Sequence, residues 1–185
     1  VLPPGSTFKV IVAAAALAVG ASPDTPFADA EEYLAPGSGS PIGNAGGGFC
    51  ADGGALTLTE ALTVSCNTVF AALAVELGGT AVVGAAGRAG FGTVIPWETG
   101  AAMSSITGAD GLDFDAGALA QTGIGERDVR VTPLLMAMIA SAIGNGGVAM
   151  QPFVVAAIVT PSGAVVEQAH PAPLTRMFAS SAAED

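Results

Sequence analysis

The sequence predicts a mostly helical α+β domain with one short β-hairpin near its carboxyl end. Apolar, alanine-rich stretches with helix-start and helix-stop signals predict helices over residues 7–19, over residues 56–87 and after Thr132. The hairpin is predicted at residues 152–168, where Val and Ile flank a Pro-Ser-Gly turn. A chain of 185 residues can bury one sizeable core, and we assign residues 1–185 to a single domain.

Composition excludes several classes of function. Sixteen acidic and five basic residues give a net charge of −11, which argues against nucleic-acid binding because phosphate requires a basic surface. The chain has one histidine, His170, in a predicted loop, and no second ligand cluster beside its two cysteines, so we expect no metal site. No apolar run reaches the ~20 residues that span a bilayer.

The first predicted helix, residues 7–19, follows Pro3, Pro4 and Gly5, and Ser6 is favoured at a helix start. Because residues i and i+3 share a helix face, we expect the Ser6 hydroxyl and the Lys9 amine to lie side by side. A lysine held partly out of water there can have its pKa lowered enough to act as a base on serine. An N-capping serine followed by a surface lysine would look the same. Lys9 is the only lysine, beside a strongly apolar stretch, which favours the catalytic interpretation.

Residues 21–54 are rich in Pro, Gly, Ser and Asp and are predicted as a mobile loop. Such a length without regular structure is unusual inside a domain unless it lines a binding cleft. The loop contains Cys50, which could pair with Cys66 and stabilise the fold by ~3 kcal/mol in an exported protein. Two free buried thiols are an equally good interpretation.

The stretch Thr57-Leu-Thr-Glu60 has the form of a capping box that opens a short helix over residues 58–64. A second helix is predicted over residues 68–77, ending at two glycines. Ser65 and Asn67 therefore fall at a helix-to-helix junction, where polar side chains can project into a cleft. Alternatively, one of them simply caps the second helix.

The remainder of the chain is predicted to alternate between irregular and helical segments. Residues 90–115 are irregular, and after a turn Thr132 is the expected N-cap of a helix that has Pro133 at its first position and ends near residue 143. Met136 and Met138 on that helix are expected in the core. A last helix is predicted over residues 174–183.

Three segments in the same order resemble a known family. Residues 3–9, Pro-Pro-Gly-Ser-Thr-Phe-Lys, and residues 65–70, Ser-Cys-Asn-Thr-Val-Phe, resemble the first two motifs of the penicillin-binding transpeptidases, acyl-serine enzymes that cross-link peptidoglycan. Residues 123–137, followed by Asn145-Gly-Gly, resemble the segment after the second motif in class B (monofunctional) penicillin-binding proteins, especially actinobacterial ones. The resemblance extends from residue 3 to about residue 160.

The resemblance implies a helical lobe packed on a mostly antiparallel five-stranded sheet, with the site in the groove between them. This chain would hold the helical lobe and almost none of the central sheet. The family's third motif, Lys-Thr-Gly, is absent from the sequence, so we expect an internal fragment; loss of the motif from a complete protein is the alternative. We expect the isolated chain to be marginally stable and prone to associate, because the apolar face of helix 7–19 would be exposed. We also expect it to have little or no activity, because the second oxyanion donor would belong to the missing strand.

The resemblance also implies roles for four residues. Ser6 attacks the carbonyl between the two terminal D-alanines of a stem peptide, and Lys9 takes its proton. Ser65 relays a proton to the leaving amine, and Asn67 binds the substrate amide and orients Lys9; both contact substrate. No cofactor or metal is needed. The implied partners are peptidoglycan stem peptides, β-lactams and other cell-wall synthesis proteins, at the extracytoplasmic face of a membrane reached through an anchor outside this chain.

Other interpretations share these motifs. A serine β-lactamase would hydrolyse its acyl-enzyme quickly, and a β-lactam sensor domain would stay acylated. A catalytically dead scaffold in a wall-building complex would bind partners without being acylated. The run from Gly-Glu-Arg-Asp to Thr-Pro-Leu, residues 125–134, favours the transpeptidase over the first two.

Overall fold

The computed structural model describes residues 1–106, 115–127 and 129–185. In this part of the chain the helices are α1 (Lys9–Ala18), α2 (Leu58–Thr63), α3 (Asn67–Arg88), α4 (Ala116–Gly123), α5 (Pro133–Gly144) and α6 (Ser180–Glu184). The strands are β1 (Pro26–Ala28), β2 (Glu32–Tyr33), β3 (Ile42–Gly43), β4 (Ala55–Thr57), β5 (Ser105–Ile106), β6 (Val129–Arg130), β7 (Val148–Met150), β8 (Ala157–Val159), β9 (Val165–Gln168) and β10 (Pro173–Arg176). The fold is therefore α+β and mostly helical, as predicted.

The first helix lies at the centre of the core. Six of its ten residues are buried, and it packs against α3 and α2. A short 3₁₀ turn, Gly5–Phe8, precedes it and carries Phe8, which is fully buried and meets Phe91 edge-to-face at 5.7 Å. Helix α1 also borders a groove of about 820 Å³, which α3 and the last residues of the chain line as well.

Helix α3 changes direction at Gly78, whose φ of 78° and ψ of 159° are not helical. This agrees with the predicted helix end at the glycine pair. By its 22 residues and mean hydropathy of 1.8 the whole of α3 is long and apolar enough to cross a membrane. The break at Gly78 and the packing of α3 against α1 and α4 instead indicate the core helix of a folded domain.

The predicted starts of two helices are confirmed. At α2, the Thr57 side chain accepts the Glu60 backbone N–H at 3.1 Å and the Glu60 carboxylate accepts the Thr57 N–H at 2.8 Å, a complete capping box. At α5, the Thr132 hydroxyl accepts the Leu135 N–H at 3.1 Å and Pro133 occupies the first turn. Both starts were predictable because their signals are local in sequence.

The strands form five separate two-stranded antiparallel sheets: β1 with β4, β2 with β3, β5 with β6, β7 with β10 and β8 with β9. The last pair is the predicted hairpin. The prediction of an irregular loop over residues 21–54 was too simple, because β1 to β3 lie in it. Part of the region predicted as irregular, residues 107–114, lies outside the described residues.

Two helix predictions need correction. The last helix begins at Ser180 and not at residue 174, because Pro173–Arg176 pairs with Val148–Met150 and its backbone is extended. Helix α4 was not predicted, although Asp115 accepts the Ala118 N–H at 2.7 Å as its N-cap. It packs directly on α3: a Cβ at Gly123 would lie 2.7 Å from the Phe70 carbonyl oxygen.

Candidate active site

Ser6 lies exposed in the 3₁₀ turn that leads into α1. The backbone before it is held at two points: the Gly5 N–H donates to the Gly125 carbonyl at 3.0 Å, and Leu2 pairs with Val131, the residue after β6. Gly125 has a φ of 76°, and a Cβ there would collide with the Gly5 carbonyl group. A glycine at 125 thus lets two backbones meet directly beside the serine.

Lys9, the first residue of α1, has no solvent-exposed surface. Its Nζ donates to Asn67 Oδ1 at 2.7 Å, to the Ser65 carbonyl oxygen at 2.6 Å and to Ser65 Oγ at 2.9 Å. The centroid of the Phe70 ring lies 5.8 Å from the same nitrogen. The structure therefore brings Lys9 together with both polar residues predicted from the second motif, and Ser6 Oγ is not among these three partners.

Burial lowers the pKa of Lys9 from its ordinary value of 10.5 to about 8. The physical cause is the loss of hydration of the ammonium inside an apolar helix interface. At neutral pH about one molecule in ten then carries a neutral amine at this position. That fraction can accept a proton, which a lysine of ordinary pKa almost never could.

The three acceptors of Lys9 are not equivalent. An ammonium has three donors and all three are used here, whereas a neutral amine has two donors and one lone pair. The Ser65 carbonyl and the Asn67 Oδ1 can only accept. The Ser65 hydroxyl can also act as a donor, to the lone pair of the neutral amine. Of these three groups, it alone can therefore exchange a proton with Lys9.

Ser65 holds its place through an unusual backbone conformation, with a φ of 57°. The Cys66 N–H donates to the Ala61 carbonyl at 2.8 Å and the Ser65 N–H donates to the Leu62 carbonyl at 3.1 Å. These two bonds form a Schellman motif at the end of α2, whose left-handed position glycine normally occupies. A serine there costs backbone strain but directs both its carbonyl and its hydroxyl toward Lys9.

Asn67 is the first residue of α3, and neither it nor Ser65 caps that helix. The N-cap residue is Cys66, whose side chain makes no capping bond. The Asn67 side chain instead bridges two segments: its Oδ1 accepts from Lys9 and its Nδ2 donates to the Gly43 carbonyl at 3.0 Å. The interpretation of these residues as simple helix caps is therefore wrong.

Cys66 is joined to Cys50 by a disulfide, with 5.7 Å between the two Cα atoms. The sequence left this pairing open. Asp29 adds a second attachment for the same loop, because its carboxylate accepts the N–H groups of Cys50, Ala51 and Gly53 at 2.8 to 3.0 Å. Burial raises the pKa of the Asp29 carboxyl, but these hydrogen bonds outweigh burial and hold its pKa below its ordinary value. With both sulfurs in the disulfide, neither offers a thiolate to a metal.

Sequence reasoning missed three residues that contribute to this site. Gly43 and its neighbour Asn44 contact the second motif from the loop before it, and Gly125 contacts the residue before Ser6. Gly43 and Asn44 lay in the loop of residues 21–54 without being singled out as residues, and Gly125 lay within the third segment that resembles the family. Asp128, in that same segment, lies outside the described residues.

Comparison with known proteins agrees with the family resemblance seen in the sequence. A family model described as the penicillin binding protein transpeptidase domain matches residues 1–185. The peptidoglycan D,D-transpeptidase PbpA of Mycolicibacterium smegmatis is 39% identical over 169 residues, which are 91% of this chain and 34% of that relative. PbpA of Mycobacterium tuberculosis is 40% identical over 160 residues, 86% of this chain and 32% of the relative. The chain thus spans about a third of the length of these curated relatives.

Solved structures agree with the sequence comparison. The crystal structure of PBPA from M. tuberculosis has a TM-score of 0.90 and 36% identity, covering 99% of this chain and 42% of that chain. The penicillin G acyl-enzyme complex of penicillin-binding protein A from the same organism has a TM-score of 0.89 and 36% identity, covering 99% and 41%. On the sequence and fold together, the chain belongs to the penicillin-binding protein transpeptidase domain family, in its class B, actinobacterial branch.

Proposed function

We propose that this chain carries the nucleophile and base of a peptidoglycan D,D-transpeptidase. The observation that carries the proposal is the fully buried Lys9, three residues after Ser6, held by Ser65 and Asn67. A buried amine of lowered pKa on the residue three positions after an exposed serine is suited to making an acyl-serine intermediate. The β-lactam acyl-enzyme complexes of the M. tuberculosis protein support the same chemistry.

In the proposed reaction, Ser6 Oγ attacks the carbonyl carbon between the two terminal D-alanines, and neutral Lys9 takes the hydroxyl proton. The C–N bond breaks as the departing D-alanine nitrogen receives a proton relayed from Lys9 through Ser65 Oγ. The stem peptide remains as an ester on Ser6. An amine from a neighbouring stem peptide then attacks the ester, forms the cross-link and returns a proton to Ser6.

Binding roles follow from the remaining donors. Asn67 uses one Nδ2 hydrogen on the Gly43 carbonyl, so its second hydrogen is available to the carbonyl of a substrate amide. The Ser6 backbone N–H is proposed as one oxyanion donor. A β-lactam would be attacked in the same way, because its strained amide mimics the dipeptide, and would leave Ser6 acylated.

We also propose that the complete site needs more of the protein than this chain. The Lys-Thr-Gly motif of the family is not in the sequence, and the chain covers about a third of its curated relatives. With the second oxyanion donor and the carboxylate-binding groups elsewhere, the isolated chain would have little or no activity. We propose as well that the whole protein is anchored to a membrane and contacts other cell-wall proteins.

An extracytoplasmic location is part of the proposal. The Cys50–Cys66 disulfide supports it, because such bonds persist in oxidising compartments and are rare in the cytosol. Peptidoglycan stem peptides are cross-linked on that side of the membrane. The net charge of −11 argues against a nucleic-acid substrate.

The test is to offer the full-length protein a stem pentapeptide that ends in D-Ala-D-Ala together with an amine acceptor. We expect release of D-alanine and transfer of the peptide to the acceptor. Rapid turnover of penicillin without D-alanine release would instead indicate a β-lactamase. Stable acylation by penicillin without D-alanine release would indicate a sensor domain, and no acylation at all would indicate a scaffold.

A further inference from the structure

We propose that Asn44 is a positioning residue for the acylation of Ser6. Its side-chain amide holds the second motif so that Asn67 presents its oxygen, and not its nitrogen, to Lys9. The inference rests on the proposed function, since it assigns Asn44 a part in that same reaction. Asn44 lies 21 or more positions before Ser65 and Asn67 in the chain.

The first step is the start of α3, which has no cap of its own. The N-cap position is taken by Cys66, whose sulfur is committed to the disulfide. The Oδ1 of Asn44 accepts the Thr68 N–H at 3.0 Å. Asn44 therefore caps the first turn of α3, as an N-cap side chain would, although it lies in a distant loop. The first turn of the helix that carries Asn67 is therefore tied to Asn44.

The second step is the orientation of the Asn44 amide itself. Its Nδ2 donates to the Ala30 carbonyl at 2.8 Å and to the Gly48 carbonyl at 2.9 Å. Reversing the amide would place its nitrogen against the Thr68 N–H and its oxygen against two carbonyls, which is repulsive at all three contacts. One orientation is thus strongly preferred, and it fixes the loop on both sides of residue 44.

The third step is the contact between this fixed loop and the catalytic residues. Gly43, the neighbour of Asn44, accepts Asn67 Nδ2 at 3.0 Å through its carbonyl. Because the Asn67 Nδ2 is held by this carbonyl, the Asn67 Oδ1 points the opposite way, where it accepts from Lys9 Nζ at 2.7 Å. If the carbonyl of Gly43 moved away, the amide could turn and present its NH₂ to a buried ammonium.

The experiment measures the second-order rate of acylation by penicillin in the full-length protein. We expect Asn44→Ala to slow acylation about tenfold or more, which corresponds to roughly 1.4 kcal/mol of transition-state stabilisation. The matched control is Asn145→Ala, which removes another side-chain amide that holds a loop carbonyl, that of Val148 at 2.9 Å, outside the site. Asn145→Ala should acylate at the wild-type rate.

A double-mutant cycle separates positioning from general loosening of the fold. If Asn44 acts through Asn67, Asn44→Ala should add little to the defect of Asn67→Ala. Equal slowing in the presence and in the absence of Asn67 would overturn the inference, and so would a wild-type rate in Asn44→Ala. Lack of acylation of the wild type at Ser6 would overturn the proposed function itself, and the inference with it.

A second variant covers the case in which Asn44→Ala does not fold. Asn44→Asp keeps the oxygen that accepts the Thr68 N–H, and so keeps the start of α3 capped, but it loses both donors to Ala30 and Gly48. We expect it to fold and to acylate more slowly than the wild type, because the loop on both sides of residue 44 loses the two bonds that fix it. A wild-type rate of acylation in this variant would contradict the inference.

Discussion

At the scale of single residues, the account depends on how a charged amine is kept in the core. Lys9 is fully buried beside Phe70, and burying an ammonium without partners would cost several kcal/mol. Three acceptors from Ser65 and Asn67 offset much of that cost, and the remainder appears as a pKa lowered to about 8. These contacts make the burial of Lys9 tolerable, and the burial itself makes the amine available as a base near neutral pH.

The pH dependence of acylation tests this reading of Lys9. Because only the neutral amine accepts the proton of Ser6, the acylation rate should rise with pH through about 8 and level off above it. Lys9→Ala should be slow at every pH and lack this rise. As Lys9 is the only lysine of the chain, its titration can also be followed directly as the single signal of isotope-labelled lysine. A titration midpoint near 10.5 in the folded chain would contradict the burial argument.

Ser65 allows backbone strain to be separated from chemistry. Ser65→Gly and Ser65→Ala both remove the hydroxyl, but glycine adopts the left-handed conformation at φ 57° freely and alanine does not. We expect the glycine variant to be about 1 kcal/mol more stable than the alanine variant in denaturant unfolding. Both should lose most of the acylation rate because the proton relay is gone. Equal stability of the two variants would mean that the Schellman position is not strained.

Spacing suggested Ser6 and Lys9, and the resemblance of both motifs to a known family assigned Ser65 and Asn67 with them. This was possible because each pair lies in a short local motif. Asn44 was not predictable in this way. Its bonds run to Ala30, Gly48 and Thr68, so no periodicity or short spacing carries the signal. The sequence also could not choose between a disulfide and two free thiols, since that depends on whether a distant loop folds back on the second motif.

At the scale of elements, the contact between α3 and α4 positions the second motif against the rest of the lobe. The two helices meet at Gly123, where a Cβ would lie 2.5 Å from the Ala74 Cβ and 2.7 Å from the Phe70 carbonyl. Thr122 beside it is fully buried. Such an approach of two backbones leaves no room for a side chain, so Gly123 sets the distance between the helices.

Substituting this glycine should separate the two helices. We expect Gly123→Ala to lower the free energy of unfolding by about 1–3 kcal/mol through overpacking. Gly144→Ala is the matched control, because a Cβ at this last residue of α5 meets nothing within 4 Å. That variant should be neutral or slightly more stable, since alanine is the better helix former. Similar effects of the two substitutions in thermal unfolding would argue against a close contact at Gly123.

The longer apolar helices and the hairpin were predictable because their apolar periodicity and their capping residues are local. The short two-stranded sheets were not predictable, since strands of two or three residues have too few side chains to show alternation. Pairing of β7 with β10 depends on a register between segments more than twenty residues apart. The prediction of a helix from residue 174 failed for the same reason: the partner strand decides the conformation, and propensity does not.

At the scale of the whole molecule, the disulfide and Asp29 attach the loop of residues 29–57 to the second motif. Cys66 lies between Ser65 and Asn67, and its partner Cys50 is in the segment that the Asp29 carboxylate holds. The loop therefore acts as a wall of the site and not as a free appendage. Its order should matter both for the stability of the chain and for the geometry around Lys9.

Removing this cross-link should weaken the fold. A closed loop of the 16-residue separation between the cysteines is worth about 3 kcal/mol in the chain-entropy picture. We expect Cys50→Ala combined with Cys66→Ala, or treatment with a reductant, to lower the unfolding midpoint in denaturant. Reductant should have no further effect on the double variant. An unchanged midpoint in the reduced wild-type chain would show that the disulfide does not stabilise the fold.

The most direct test of the central claim is to locate the acyl group itself. The full-length protein is treated with labelled penicillin, digested, and the labelled peptide is identified by mass spectrometry. The account predicts an ester on Ser6, no label in Ser6→Ala, and slow or absent labelling in Lys9→Ala. Label on a different residue, or label that persists in Ser6→Ala, would contradict the assignment of Ser6 as the nucleophile.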